Sequence, residues 1–113
     1  MSKRSDDLLL NDILESITKI KLYTSNLNFD SFINDSKTVD AVIRNFEIIG
    51  EASNRLSDVF KENNAEIDWF RIIGFRNRIV HDYMGIDFEI VWSIIQNDID
   101  SLLLNIEKIK SKI

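Results

Sequence analysis

No proline occurs in the 113 residues of this chain, and only three glycines, Gly50, Gly74 and Gly85, interrupt it. Proline and glycine are the residues that most reliably end or weaken a helix. Their scarcity predicts long helices joined by short connections. The apolar residues agree. Leu9, Leu10, Ile13, Leu14, Ile17 and Ile20 recur at three- and four-residue spacing, on one face of a helix over 6–24. Val39, Val42, Ile43, Phe46, Ile49, Leu56 and Val59 form a second stripe over 37–60, with Ser36 placed to cap it. A third helix is predicted over 69–81 behind an Asp68 cap, with Phe70, Ile73 and Val80 facing inward. A fourth runs from an Asp87 cap to the C-terminus along a seam that includes Val91, Ile94, Ile95, Ile99, Leu102 and Ile106. Lys108, Lys110 and Lys112 close its last turns, where cations suit the helix dipole. Between the first two helices, 26–36 is polar with Phe29, Phe32 and Ile33 as a small apolar anchor, and 61–66 reads as a loop. No repeat is present. The pattern predicts one domain over 1–113, an all-α bundle of four helices.

The balance of 44% hydrophobic and 29% charged residues is that of a soluble globular domain. The absence of cysteine removes disulfides, thiolate metal sites and thiol catalysis together, and a cytoplasmic location fits it. The start, Met-Ser-Lys-Arg-Ser-Asp-Asp, leads into a segment with charges every few residues, so neither a signal peptide nor a membrane span is expected. A net charge of −5 argues against broad affinity for nucleic acid. The charge is uneven, however. Only 71–85 is net positive, with Arg71, Arg76 and Arg78 against Asp82. Such a spot holds one or two phosphates and not a long tract of them. The plainer reading pairs these arginines with neighbouring carboxylates.

That same stretch carries the only histidine. In Arg76-Asn77-Arg78-Ile79-Val80-His81-Asp82-Tyr83, a titratable imidazole, guanidinium groups and a phenol are collected within eight residues. If the helix continues, Asn77 and His81 are an i, i+4 pair on one face, and Arg76 lies about 140° around the axis from His81. An imidazole in the last helical turn would feel the negative end of the dipole, which favours its protonated form. Its ordinary pKa of roughly 6.5 suits proton transfer near neutrality. Metal-free RNA cleavage by 2′-hydroxyl attack needs a base on the nucleophile and an acid on the leaving oxygen. One histidine per chain meets that need only if a two-fold dimer brings two copies together. In such a site Arg76 stabilises charge on the pentacoordinate phosphorus, Asn77 orients the imidazole or the phosphate, and His81 moves the proton. By spacing alone, a lone histidine at a helix end is more often a capping or packing residue than a catalyst.

The pattern Arg76-Asn77-x-x-x-His81-x-Tyr83 resembles the R-x4-H-x-Y signature of the HEPN superfamily. The stretch from Arg44 through Glu47, Gly50 and Glu51 to Leu56 resembles the second-helix block of its HepT-like toxins, which are encoded beside a small nucleotidyltransferase antitoxin of the MntA type. Both blocks, their order and the chain length agree. The resemblance implies a four-helix-bundle-like HEPN homodimer with metal-independent endoribonuclease activity, in a toxin–antitoxin system of the type VII kind. Carried over, Arg76 and His81 match the catalytic pair and Asn77 the supporting polar position. Tyr83 matches the tyrosine that the partner nucleotidyltransferase adenylylates. RNA is the implied substrate, with 2′,3′-cyclic phosphate ends, and no cofactor or membrane is implied. The alternative is a non-catalytic helical partner of a nucleotidyltransferase, since many members of the superfamily bind or scaffold.

Glu47 and Glu51, an i, i+4 pair, are further candidates to line the site and pair with Arg76 or Arg78; an ordinary solvated pair is the competing reading. No metal ligand set is visible around them. Gly50 between them predicts close approach of another helix, and Gly74 invites the same reading. Trp69, Phe70, Phe75 and Trp92 are expected in the core or a dimer interface.

Overall fold

The computed structural model describes residues 4–81 and 85–112, with His81 described at its backbone alone. It is an all-α bundle with one two-residue strand pair. Helix α1 (Asp6–Thr24) starts at Ser5, whose side chain accepts the Leu8 N–H. Asn28 and Ser31 cap each other at the start of α2 (Phe29–Ile33). Helix α3 (Ser36–Arg55) follows, then α4 (Asp58–Asn63), α5 (Trp69–Ile73) and α6 (Phe75–Ile79). Strand β1 (Val80–His81) pairs antiparallel with β2 (Gly85–Ile86), and α7 (Phe88–Asn97) and α8 (Ile99–Ser111) end the chain. Contacts run from α1 to α3, from α3 to α5 and α6, from α6 to α7, from α7 to α8 and back to α1, closing the bundle. Ile13, Ile17, Phe46, Ile49, Ile79, Ile94, Ile99 and Ile106 are fully buried inside that ring. No described helix is long and apolar enough to cross a membrane.

The helical faces lie where the apolar spacing puts them, and the boundaries differ for local reasons. The cap of α3 is Asp35, not Ser36: its carboxylate accepts the Thr38 N–H at 3.1 Å and the Thr38 hydroxyl at 2.7 Å. Those bonds, the hydroxyl first, hold the Asp35 carboxyl below the usual carboxylate range. The second helix stops at Arg55, five residues early. Asp6 accepts the Ser57 N–H at 2.9 Å and its hydroxyl at 2.7 Å, and the Ser57 hydroxyl in turn accepts the Phe60 N–H, so a new helix starts there. Val59 is therefore 66% exposed and not part of the stripe.

The expected third helix is two short helices bent at Gly74, and it ends at Ile79. Val80, which is β-branched, is extended at φ −116° and ψ 119°, and Gly85 at φ +77° adopts a left-handed conformation that favours glycine. The extended backbone on either side pairs antiparallel, with Val80 opposite Ile86 and His81 opposite Gly85. Trp69 is buried and donates its indole N–H to the Asn64 carbonyl at 3.1 Å. Burying Trp69 and Ile72 turns Phe70, 100° further around the axis, out to solvent at 89% exposure. The fourth helix breaks at Asp98, whose carboxylate pairs with Arg71 at 2.9 Å.

Candidate functional site

Phe75 sets the orientation of α6. It is buried edge-on against Phe46 of α3, with ring centroids 5.7 Å apart, and Ile79 one turn later is buried too. With both anchored inward, Arg76 and Asn77 are exposed. They meet the exposed side of α3 across a groove of about 320 Å³ lined by Glu47, Gly50, Glu51, Asn54, Ile73, Arg76 and Asn77. Gly50 makes the approach possible. A β-carbon there would lie 3.2 Å from the Ile73 carbonyl oxygen and 3.5 Å from that of Ile72, so the close helix contact expected of this glycine is present. Across the groove Arg76 Nε stands 3.9 Å from Glu47 Oε1. This exposed pair adds little stability; it brings a guanidinium and a carboxylate from two helices to one edge.

The three arginines of the basic stretch go three ways. Arg76 lines the groove. Arg71 is held by Asp98 on the α7–α8 corner. Arg78 is half-buried, its guanidinium carbon 6.0 Å from the centre of the Phe75 ring, with Nη1 buried and without a hydrogen-bond partner among the described residues. The groove thus joins Glu47, Glu51, Arg76 and Asn77 and does not include Arg78.

His81 differs from the expectation of a last helical turn. Its backbone belongs to β1, two residues beyond α6, so neither the i, i+4 ridge with Asn77 nor the helix-dipole effect on the imidazole applies as drawn. The helix stops at Ile79 because the β-branched Val80 favours the extended backbone it adopts. Asp82 and Tyr83 lie outside the described residues. Among the described residues, no group of three or more histidine, aspartate and glutamate side chains is arranged to hold a metal ion. Asn54 was missed in the sequence, although Glu47, Gly50, Glu51 and Asn54 follow helical spacing along one face of α3.

The family model of HepT-like ribonucleases matches residues 13–109, a stretch that contains every groove residue and the whole Arg76–Tyr83 motif. The chain belongs to the HepT-like ribonuclease family, within the HEPN superfamily. A protein of Thermococcus cleftensis named "Probable ribonuclease HepT" is 40% identical over 108 residues, covering 96% of this chain and 98% of its own length. "Putative RNase MJ1380" of Methanocaldococcus jannaschii is 37% identical over 107 residues, covering 95% of this chain and 98% of its own. No solved structure matches the chain. Membership in this HepT-like family gives the groove its context: of the signature residues Arg76, Asn77, His81 and Tyr83, the structure describes Arg76 and Asn77 in full, and both are exposed.

Proposed function

We propose that the chain is a metal-independent endoribonuclease acting as a homodimer, with a composite site in which two copies of the Arg76–Tyr83 motif face one another. The observation that carries the reading is the exposure of Arg76 and Asn77 on a groove wall, in a chain of the HepT-like family. In the reaction, one His81 takes the proton from the 2′-hydroxyl as its oxygen attacks phosphorus. The P–O5′ bond breaks, and the partner subunit's His81 gives a proton to the leaving 5′-oxygen. A 2′,3′-cyclic phosphate and a 5′-hydroxyl result. Arg76 stabilises the charge that builds on the phosphoryl oxygens, and Asn77 orients the phosphate or the imidazole. Phe70 supports the dimer, because an aromatic exposed at 89% on the element leading into the motif is surface that a second copy would cover.

In this reading the protein is the toxin of a toxin–antitoxin pair. Its MntA-like partner nucleotidyltransferase transfers AMP from ATP to the Tyr83 phenol oxygen and releases pyrophosphate. The added negative charge and bulk then oppose binding of RNA. A second reading, a non-catalytic partner of a nucleotidyltransferase, draws on one observation: Glu47 and Glu51 place two carboxylates beside one guanidinium, which is poor for a polyanion. Incubating purified, unmodified protein with single-stranded RNA in EDTA separates the two. Fragments ending in 2′,3′-cyclic phosphate support the enzyme, and intact RNA supports the binding partner.

A further inference from the structure

Glu47 stands between two arginines. Its Oε1 lies 3.9 Å from Nε of Arg76 on α6, and its Oε2 lies 3.9 Å from Nη1 of Arg44, one turn back on α3. Both contacts are ion pairs at a distance too long for a hydrogen bond. All three side chains reach solvent, Glu47 at 37%, Arg76 at 58% and Arg44 at 67% exposure. Two guanidinium groups share this one carboxylate, and Arg44 thereby offsets the second groove carboxylate, Glu51. The contact also has a direction. Its closest approach is at Nε, along the side of the Arg76 guanidinium, and no described residue hydrogen-bonds the two terminal nitrogens that fork onto a phosphate.

We propose that Glu47 positions Arg76 for the scissile phosphate and that Arg44, tied to the same carboxylate, is a second phosphodiester contact, so that the RNA strand crosses α3 beside the groove. This rests on the ribonuclease reading above. A carboxylate on the Nε side biases the guanidinium to turn its fork away from α3, and positioning of that kind acts on the rate more than on the affinity. Arg44, the most exposed of the three, supplies charge to a neighbouring phosphate and acts on affinity alone.

The test uses the full chain with two substitutions and two RNAs. Glu47→Gln keeps the size and removes the charge. It is expected to lower kcat about tenfold with KM unchanged or lowered, because a carboxylate that repels the substrate is gone while the orientation of Arg76 is lost. Its melting temperature should match the wild type, because an exposed pair adds little stability, so the split between kcat and KM is the readout that a merely structural role would not move. Arg44→Ala is expected to raise KM with kcat kept. Binding of a single-stranded 2′-O-methyl oligonucleotide, which lacks the attacking hydroxyl, should show its log–log salt slope reduced by about 0.7, one phosphate contact fewer. Arg44→Lys should restore that slope. Glu47→Gln and Arg44→Ala with wild-type kcat, KM and salt slope, in a protein that Arg76→Ala inactivates, would overturn the proposal and leave the ribonuclease reading standing. Wild-type protein that cleaves no RNA removes the ribonuclease reading and the role of Glu47 with it, and the salt slope of Arg44→Ala still decides the path of the strand.

Discussion

Gly50 lets α3 lie so close to α5 that a β-carbon there would stand 3.2 Å from the carbonyl oxygen of Ile73. The closeness brings the Glu47–Asn54 face of α3 against Arg76 and Asn77. Alanine at this position gains roughly 1 kcal/mol of helix propensity, and forcing the two backbones apart costs about 1–3 kcal/mol. Gly50→Ala is therefore expected to melt a few degrees lower than the wild type and to lose roughly tenfold in kcat/KM, as the groove widens. Thermal melts and cleavage rates check this. A variant that melts higher and cleaves as fast would show that the contact has slack.

Phe70 is expected to hold two copies together. Since it is 89% exposed, Phe70→Ser should leave the fold of a single chain intact. Light scattering should show a dimer for the wild type and a monomer for the variant, with cleavage lost alongside. A variant that stays dimeric and active removes Phe70 from the interface.

Asp35 gives a prediction in pH. Its folded pKa is depressed, first by the Thr38 hydroxyl and then by the Thr38 N–H. A depressed carboxyl contributes stability above its unfolded pKa, near 3.9, and that stability is lost as pH falls through the folded value. Thr38→Val removes the larger cause. The variant should melt below the wild type at pH near 7, and the two curves should converge at about pH 2. An equal gap at both ends of the range would assign the effect to packing.

Tyr83 is the expected control point. Under the proposed toxin–antitoxin reading, co-expression with a partner nucleotidyltransferase should raise the intact mass in AMP units and abolish toxicity. The gain should disappear in Tyr83→Phe. A fully neutralised protein with unmodified Tyr83 would leave complex formation as the mode of control.

The helical faces were legible because apolar spacing is a local signal: Leu9, Leu10, Ile13, Ile17 and Ile20 of the first stripe and Val39 to Ile49 of the second are buried as that spacing requires. The caps at Asp68 and Asp87 were legible for the same reason, each carboxylate accepting the N–H three residues on. What the sequence left open is set by contacts distant along the chain. Trp69 and Phe70 are adjacent aromatics, and which one turns inward is set by a bond outside helical spacing, that of the Trp69 indole to the Asn64 carbonyl five residues back. The end of α3 depends on Asp6, which holds Ser57 from fifty-one residues away. The strand pair at Val80 and Ile86 had a local sign in Gly85, but a helical reading of 69–81 passes over it. In the site, Glu47 and Glu51 could be placed on one face from their spacing. Their meeting with Arg76 depends on Gly50 and on the anchoring of Phe75 against Phe46, which no local pattern encodes.

The most direct test of the account is cleavage of single-stranded RNA in EDTA by the wild type, Arg76→Ala and His81→Ala, each with its circular dichroism spectrum and melting temperature. The wild type should cut the RNA and leave 2′,3′-cyclic phosphate ends. Both variants should lose cleavage by a factor of roughly 10²–10⁴, the usual contribution of a proton-transfer group or of a donor to the developing charge, while keeping their helicity. Full activity in either folded variant, or a wild type that cuts only with a divalent ion present, would contradict it.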